Sequence, residues 1–403
     1  MSEMTLGALA TAGVLAIGDG YRTRQAELTS DGFRIIRVAD VKDGRITLDS
    51  PDFVDGAFEK QIGAKVATEG DVLLTTKGTV GRVAIVPKGV SRAVYSPQLC
   101  WFRVLNPEVI DGRYLSYWLQ SPAFTSQSSH MQGNSDMAPY VSLSDLRSSR
   151  ITVPLRSEQQ GIAEVLGALD DKIASNTALA SKIEDLVQAR YRTIAPRSRY
   201  TGTRFADVAQ ISGGGTPSTS DASYWDGKVW WATPTDMTAL AGPYLDSTSR
   251  TITEAGLEAC SSKLFQPGAI LMTSRATIGV LAVNIVATAV NQGFIVVQPN
   301  DERLRWWIFH QMRARADEFL SWANGATFLE LSRGNFKQLP FLTPPDGCLD
   351  QFAVFAESLH ARARAALEEN GSLAATRDTL LPHLMSGKLR VRDAEAAASA
   401  AGA

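Results

Sequence analysis

One segment of this chain occurs twice. GDVLLTTKGTVGRVAIV runs from Gly70 to Val86, and GAILMTSRATIGVLAVN runs from Gly268 to Asn284. Gly70 with Gly268, Thr75 with Thr273, Lys77 with Arg275, Thr79 with Thr277, Val80 with Ile278 and Gly81 with Gly279 share a single offset of 198. Flanking blocks follow in the same order. Upstream, Asp40 in RVADV answers to Asp236 in TPTDM. Downstream, Gln98 precedes the apolar run LCWFRV and Gln292 precedes GFIVV. Farther on, YVSLSDLRSSRITVP resembles FLELSRGNFKQLPFLTPP. One offset held over six positions, with ordered flanks, is not a chance alignment. A period near 195 residues means two large copies, because solenoid repeats run only ~20–50 residues. The chain must therefore fold as two related bodies, and 403 residues suffice for two ordinary domains with connecting elements.

Each copy reads mainly as β. The apolar, β-branched runs VLLTT, RVAIVP, AILMTS and FIVVQP are short and bounded by Gly or Pro. A short helix is expected after each, over DGRYLSYWLQSPAFTSQ and ERLRWWIFHQMRARADEFLSWA. Glycine-rich turns punctuate the copies, notably Ser212-Gly213-Gly214-Gly215-Thr216-Pro217.

After Pro154 the pattern changes. Ser157 is a candidate N-cap, and Ile162, Leu166, Leu169, Ile173, Asn176, Ala180, Ile183, Val187 and Ile194 follow at coiled-coil spacing. A helix over about 157–194 would be ~57 Å long, ended by Pro196. A second, poorer seam follows Pro344 and Pro345: Phe352, Phe355, Leu359, Ala363, Ala366, Asn370, Leu373 and Leu380, with Arg377 on it. An amphipathic helix of this length cannot bury its stripe alone, so the two should pack on each other, antiparallel because the chain must return. Asn176 and Asn370 either set the register of that pair or lie at the seam edge facing solvent. The tail after Asp393, AEAAASAAGA, is expected to be disordered.

These patterns predict an α+β chain of two β-rich domains in tandem, each followed by a long helix. The expected boundaries are 1–153 and 201–343 for the β-rich domains, 154–200 and 344–392 for the helices, and 393–403 for the tail.

Composition excludes more than it selects. The net charge of −2 is no global nucleic-acid signature. Two stretches nonetheless lack acids, from Val72 to Pro107 with Lys77, Arg82, Lys88, Arg92 and Arg103, and from Ala259 to Asn300 with Lys263 and Arg275. They either present positive faces to phosphate or are buried strands, where acids are rare in any case. The three cysteines, Cys100, Cys260 and Cys348, form neither a metal cluster nor a disulfide framework, which fits a reducing cytosol. No run approaches the ~18 apolar residues of a membrane span, and the start lacks a basic leader, so neither membrane nor secretion is expected.

Catalytic motifs are missing. No Asn/Asp-Pro-Pro-aromatic block of an amino-methylase occurs; Asn106-Pro107-Glu108 and Pro344-Pro345-Asp346 do not fit. Gly213-Gly214-Gly215 is not GxGxxG, and there is no GxxxxGK[ST] motor loop. A PD…ExK nuclease core and a Gly-x-Ser-x-Gly elbow are likewise absent. His130, His310, His360 and His383 lie outside metal-ligand spacing of one another. His310 and His360 are expected as surface or packing residues, and His130 in a solvated loop. The chain is expected to have no catalytic site and no metal.

With these residues in view, the organisation resembles type I restriction-modification specificity subunits. VPLRSEQQGIAEVLGALDDKIASN resembles the first spacer helix of that family, and TRDTLLPHLMSGKLRV, from Thr376 to Val391, resembles the close of its second. GGGTPSTSDASYWDGKVWWATPTDM resembles the opening of a target-recognition domain, and IGDGYRTRQAELTSDGFRIIRVADV a variant of it. The resemblance implies two target-recognition domains, each reading half of a split, asymmetric site in double-stranded DNA. It implies a helical ruler between the halves. It also implies partners: two methylase subunits that bind S-adenosylmethionine, and motor-nuclease subunits that use ATP and Mg. No cofactor is implied for this chain. Competing readings are a self-contained DNA methyltransferase and a decoy or structural partner of a methylase that reads no DNA.

On that resemblance, matched basic and hydroxyl positions, Lys77 with Arg275 and Thr79 with Thr277, are candidate phosphate contacts, because the backbone is the same in every sequence. Arg82 joins them. Candidate base readers are Gln98 and Asn291-Gln292, whose amides suit adenine. Asn324, Arg333, Asn335 and Lys337 cluster near one loop, with Asn134 and Ser142 in the equivalent part of the first copy. Each of these, taken singly, is also an ordinary surface or turn residue.

Overall fold

Val72–Thr75 and Ile270–Thr273, at the heart of the repeated segment, are strands in which every residue is buried. Successive side chains of a strand point to opposite faces, so complete burial requires apolar layers on both sides. Val72 and Leu74 face one core with Phe102 and Trp118, while Leu73 faces another with Tyr95 and Trp101. In the second copy Ile270 and Met272 pack with Ile295 and Trp307, and Leu271 with Phe265 and Phe294.

The computed structural model describes residues 2–42, 44–90, 92–131, 140–275, 277–324 and 329–402. The chain forms two units, Met1–Ile173 with Gly371–Ala403, and Ala174–Asn370. In the first, an antiparallel sheet runs in the order Leu15–Asp19, Leu99–Val104, Val72–Thr75, Val83–Ile85. In the second, the order is Ala209–Ser212, Phe294–Pro299, Ile270–Thr273, Leu281–Asn284, with Tyr244–Leu245 added in parallel at the edge. Each unit has a further sheet holding one parallel pair, Ala93–Tyr95 with Phe33–Ile36, and Thr288–Val290 with Trp225–Ala232. The internal repeat is thus a repeat of topology.

The sheets also correct the sequence alignment. Leu99 stands opposite Thr75, and Phe294 opposite Thr273. Gln98 therefore corresponds to Gly293, and Gln292 to Pro97. The connection back to the returning strand is three residues shorter in the second copy, which moves the two glutamines one position out of step.

Each unit is entered and left through a two-stranded antiparallel ribbon. Ser2–Thr5 pairs with Arg150–Val153, and Arg199–Arg204 pairs with Pro340–Thr343. The expected helices after the sheets are Gly112–Gln120 with Pro122–Met131, and Arg305–Ala314 with Ala316–Ser321. His130 lies in the last turn of Pro122–Met131, in a helix rather than the expected loop.

The long helices are Arg156–Ile194 and Cys348–Met385. The first begins one residue before Ser157, which lies inside its first turn and is not its cap. Within each unit the helices pack antiparallel as a coiled-coil pair. In the first unit Leu166 and Leu169 share a core with Leu373, Leu380 and Leu384, and Arg377 Nη1 reaches Asp170 Oδ1 at 2.8 Å. In the second, Ala180, Ile183 and Val187 share a core with Phe352, Ala356 and Ala363. Asn176 Nδ2 donates to Asn370 Oδ1 at 3.0 Å and to Glu369 Oε2 at 2.8 Å. The two seam asparagines meet.

His310 and His360 form the polar centre of the second unit, 0% and 1% exposed. Gln188 Nε2 donates to the His310 carbonyl at 3.3 Å, leaving its Oε1 to accept from His310 Nδ1 at 2.7 Å. His310 Nε2 then accepts from His360 Nε2 at 3.0 Å, and His360 Nδ1 accepts from the Tyr244 hydroxyl at 2.7 Å. The chain is satisfied with both rings neutral. Burial pushes His310 down to about 2, helped by His360 and Arg313, and pushes His360 down to about 3, helped by Arg313. Trp306 stacks on His360, ring centroids 3.5 Å apart.

The segment expected to be a disordered tail is instead the helix Val391–Ala400, with Ala394 and Ala398 buried in the first unit's core. Alanine is the strongest helix former. Gly161 on the first long helix makes room for the start of this helix: a Cβ added there would lie 2.8 Å from Val391.

Candidate nucleic-acid interface

The repeated segment owes most of its likeness to a turn. In each copy a threonine ends the central strand and its hydroxyl accepts a backbone N–H: Thr75 from Arg82 at 2.9 Å, Thr273 from Val280 at 3.0 Å. Gly81 N donates to Thr75 O at 3.0 Å and Gly279 N to Thr273 O at 2.9 Å. Both glycines have positive φ, +100° and +93°, which a side chain disfavours. Inside this turn Lys77, Thr79 and Thr277 are exposed, and Arg275 and Arg82 are half-buried. Arg82 reaches the Val41 carbonyl at 3.4 Å.

The shared acid is structural as well. Asp40 accepts from Arg37 N at 2.7 Å and Asp236 from Thr233 N at 2.8 Å. Burial pushes the Asp236 carboxyl up, but hydrogen bonds from Thr233 and Ser249 outweigh it and hold the group below its ordinary value.

In the first unit the turn borders a cleft of about 710 Å³. Gly20 forms part of its wall because the chain passes close there: a Cβ would lie 2.0 Å from the Ser96 carbonyl. Gly214 holds the same place in the second copy, where a Cβ would lie 1.9 Å from the Val290 carbonyl. Arg22, Arg24, Arg37, Lys65 and Lys77 line the cleft, with Gln98 and Tyr140. Arg37 pairs with Asp52, and Lys65 with Asp19 at 2.9 Å. Among the described residues the side chains of Arg22, Arg24 and Lys77 form no ion pair, although Glu27 Oε2 accepts from the Arg24 backbone N–H at 3.0 Å. Three cationic side chains free of ion pairs around a cleft raise the local positive potential although the whole chain is near neutral.

Arg22 and Arg24 were not anticipated from the sequence. Their signal is the basic pair in YRTRQ directly after Gly20, outside the acid-free windows. Those windows mix buried strands with exposed turns, and not every basic residue in them is available. Arg103, for example, is bound to the buried Asp71 through two contacts of 2.8 and 2.6 Å.

The other expected residues divide by how they are engaged. Ser142 caps the helix Leu143–Ser148, accepting from Asp145 N at 3.1 Å. Asn291 Oδ1 accepts from Gly293 N at 2.8 Å, and Gln292 accepts from Thr216. Arg333 lies across Gly213, where a Cβ would be 2.8 Å from its Cδ. Asn335 N is bonded by the Ser332 hydroxyl, and Lys337 is exposed on the same helix, Arg333–Gln338. Asn324 is exposed, and its backbone pairs with Glu330 in both directions at 3.0 Å. Asn134 lies outside the described residues. Among the described residues no three His, Cys, Asp or Glu side chains gather as a metal-holding group.

Residues 9–185 and 200–351 match the type I restriction modification DNA specificity domain. The type I restriction enzyme MjaIX specificity subunit of Methanocaldococcus jannaschii is 33% identical over 147 residues, 36% of this chain and 34% of that protein. The EcoBI specificity subunit of Escherichia coli is 29% identical, over 40% of this chain and 34% of that protein. The chain thus spans about a third of the length of these two relatives. The HindI specificity subunit of Haemophilus influenzae is 20% identical across 81% of this chain and 88% of that protein. The crystal structure of the type I restriction-modification S subunit from M. genitalium superposes with a TM-score of 0.52 at 14% identity, covering 95% of each chain. At that identity the likeness bears on the fold alone.

Proposed function

The chain belongs to the type I restriction modification DNA specificity family, and from that premise we propose that it is the DNA-reading subunit of a type I restriction-modification complex. Each unit reads one half of a split, asymmetric duplex site. The paired long helices set the gap between halves and carry two methylase subunits, with motor-nuclease subunits joining them. Methyl transfer with S-adenosylmethionine, and cleavage with ATP and Mg, belong to those partners. Phosphate is held in the first unit by Lys77, Thr79 and Arg82 together with Arg22 and Arg24, and in the second by Arg275 and Thr277. Gln98, Gln292, Arg333, Asn335, Lys337, Asn324 and Asn291 are the polar groups available to base edges. The Asn176–Asn370 pair sets helix register, since an amide pair at the seam, with Asn176 buried, is satisfied in one alignment only.

The observation that carries this reading is the first unit's cleft, where the Arg22, Arg24 and Lys77 side chains stand free of ion pairs beside Gln98. Uncompensated cations supply sequence-independent affinity, and an exposed amide supplies discrimination. The test is methylome sequencing of cells expressing the chain with its methylase, beside duplex binding by the complex at several salt concentrations. A bipartite methylated motif and a steep salt dependence are expected. S-adenosylmethionine binding by the isolated chain, or methylation without a bipartite motif, would overturn it.

A further inference from the structure

The two copies share a framework at one exposed point and differ there in the side chain they present. In the first, Lys77 forms an isolated antiparallel bridge with Tyr140, and in the second Arg275 forms the same bridge with Glu330. The next residues repeat the match. Val141 N donates to Thr76 O at 3.0 Å, and Leu331 N to Ser274 O at 3.1 Å. Ser142 and Ser332 then cap the short helices that follow. Tyr140 and Glu330 are therefore held by equivalent backbone, each beside the basic residue of its turn.

Their chemistry is opposite in kind. Tyr140 is 50% exposed at the cleft, and among the described residues its hydroxyl makes no hydrogen bond. It offers an O–H donor and an apolar ring. Glu330 is acceptor-only; its Oε1 meets Arg275 Nη2 at 3.0 Å, and its carboxylate remains 38% exposed. The Glu330 backbone is fixed on both sides, by Asn324 and through Leu331 by Ser274. A carboxylate so held favours a base edge that presents an exocyclic amine and rejects one that presents only acceptors. A phenol imposes no such exclusion.

Resting on the reading above, we infer that this shared position, Tyr140 in the first unit and Glu330 in the second, is a specificity-determining position. Glu330 selects an amine-bearing base edge in its half-site, and Tyr140 selects in the other. Framework residues cannot discriminate between two different half-sites, whereas a position with fixed backbone and unlike side chains can.

The experiment uses the chain with its methylase and compares the wild type with Glu330→Gln and Tyr140→Phe, both close in shape to the residues replaced. Methylome sequencing gives the motif, duplex binding gives the salt slope, and melting confirms the fold. Glu330→Gln is expected to relax preference on the order of tenfold at one base pair of one half-site and leave the other half-site unchanged. It also steepens the salt slope by about one phosphate's worth, because Arg275 loses its counter-charge. Tyr140→Phe is expected to relax one position of the other half-site. An unchanged motif in both variants overturns the inference. So does a steeper salt slope in Glu330→Gln with the motif intact, because Glu330 would then only neutralise Arg275. A wild-type complex without a bipartite motif overturns the proposed function itself, and this inference with it.

Discussion

Acidification between pH 7 and 5 should destabilise the second unit, and the buried His310–His360 pair sets the size of the effect. Both rings are held neutral, with folded values of about 2 and about 3. In the unfolded chain a histidine takes up its proton near ~6.5. Below that value the unfolded state binds more protons than the folded one, so stability falls as the pH falls, and the loss continues down toward the folded values. Each group contributes about 1.4 kcal/mol per pH unit, hence about 2 kcal/mol at pH 5 and about 4 kcal/mol for the pair. That is a large share of the ~5–15 kcal/mol that holds an ordinary domain together. Glu184 works the other way, because burial raises its carboxyl and the folded state binds that proton more readily. Its offset falls between the ordinary carboxylate value and the raised one, so His310→Gln, and not the pH window alone, assigns the loss to the histidines. Arg313, ion-paired with Glu184 at 2.7 Å, is the cation that bears on both rings. Denaturant titrations at pH 7, 6 and 5 measure the effect, with His310→Gln expected to remove about half of the pH dependence. A midpoint that does not move over this window, or a pH dependence untouched by His310→Gln, would refute the reasoning.

Three further outcomes are expected. Lys77→Ala should lower the salt slope of duplex binding by about 0.9 in log–log terms, whereas Arg275→Ala should change it less, because Glu330 already offsets that charge; equal slopes for the two variants would remove the distinction. Gly20→Ala forces a Cβ to within 2.0 Å of the Ser96 carbonyl and should cost about 2–4 kcal/mol, while Gly112→Ala, with its nearest neighbour 3.8 Å away, serves as the near-neutral melting control. Deleting residues 173–179 and 367–373 together removes two turns, about 10 Å, from each long helix with the heptad phase retained; methylome sequencing should show a shorter gap between unchanged half-sites, and an unaltered gap would mean that the helices are not the spacer.

What could be read from the sequence follows from how strongly each feature is over-determined. The central strands were legible because burial on both faces demands an unbroken apolar run, and the turn because it needs a threonine and a glycine six residues apart. The seams were legible through their spacing, although in the second helix Ala356 and His360 are buried where Phe355 and Leu359 were expected. His360 on that line meets His310 from a helix fifty residues away, and nothing in either local sequence announces the meeting. The binding candidates were less legible. Arg22 and Arg24 matter because the fold brings their loop to the same cleft as Lys77, and a two-residue basic signal carries little weight until that happens. Ser142 looked available as a hydroxyl, but its local role as a cap engages it first. The tail was misread because alanine-rich composition says little about order until a partner surface exists for it.

The entry ribbons have a mechanical consequence. In the second unit the chain arrives from one long helix into Arg199–Arg204 and departs through Pro340–Thr343 toward the other, with Tyr200 opposite Leu342. Tension applied between those two helices therefore acts on the ribbon from its paired outer ends. An antiparallel pair pulled from adjacent ends opens as a zipper, one pair of hydrogen bonds at a time, and yields at low force. The domain behind it is tied to both helices as well, through the buried chain Gln188–His310–His360–Tyr244, so a pull on the scaffold is shared between a ribbon that opens pair by pair and a packed core that must yield all at once.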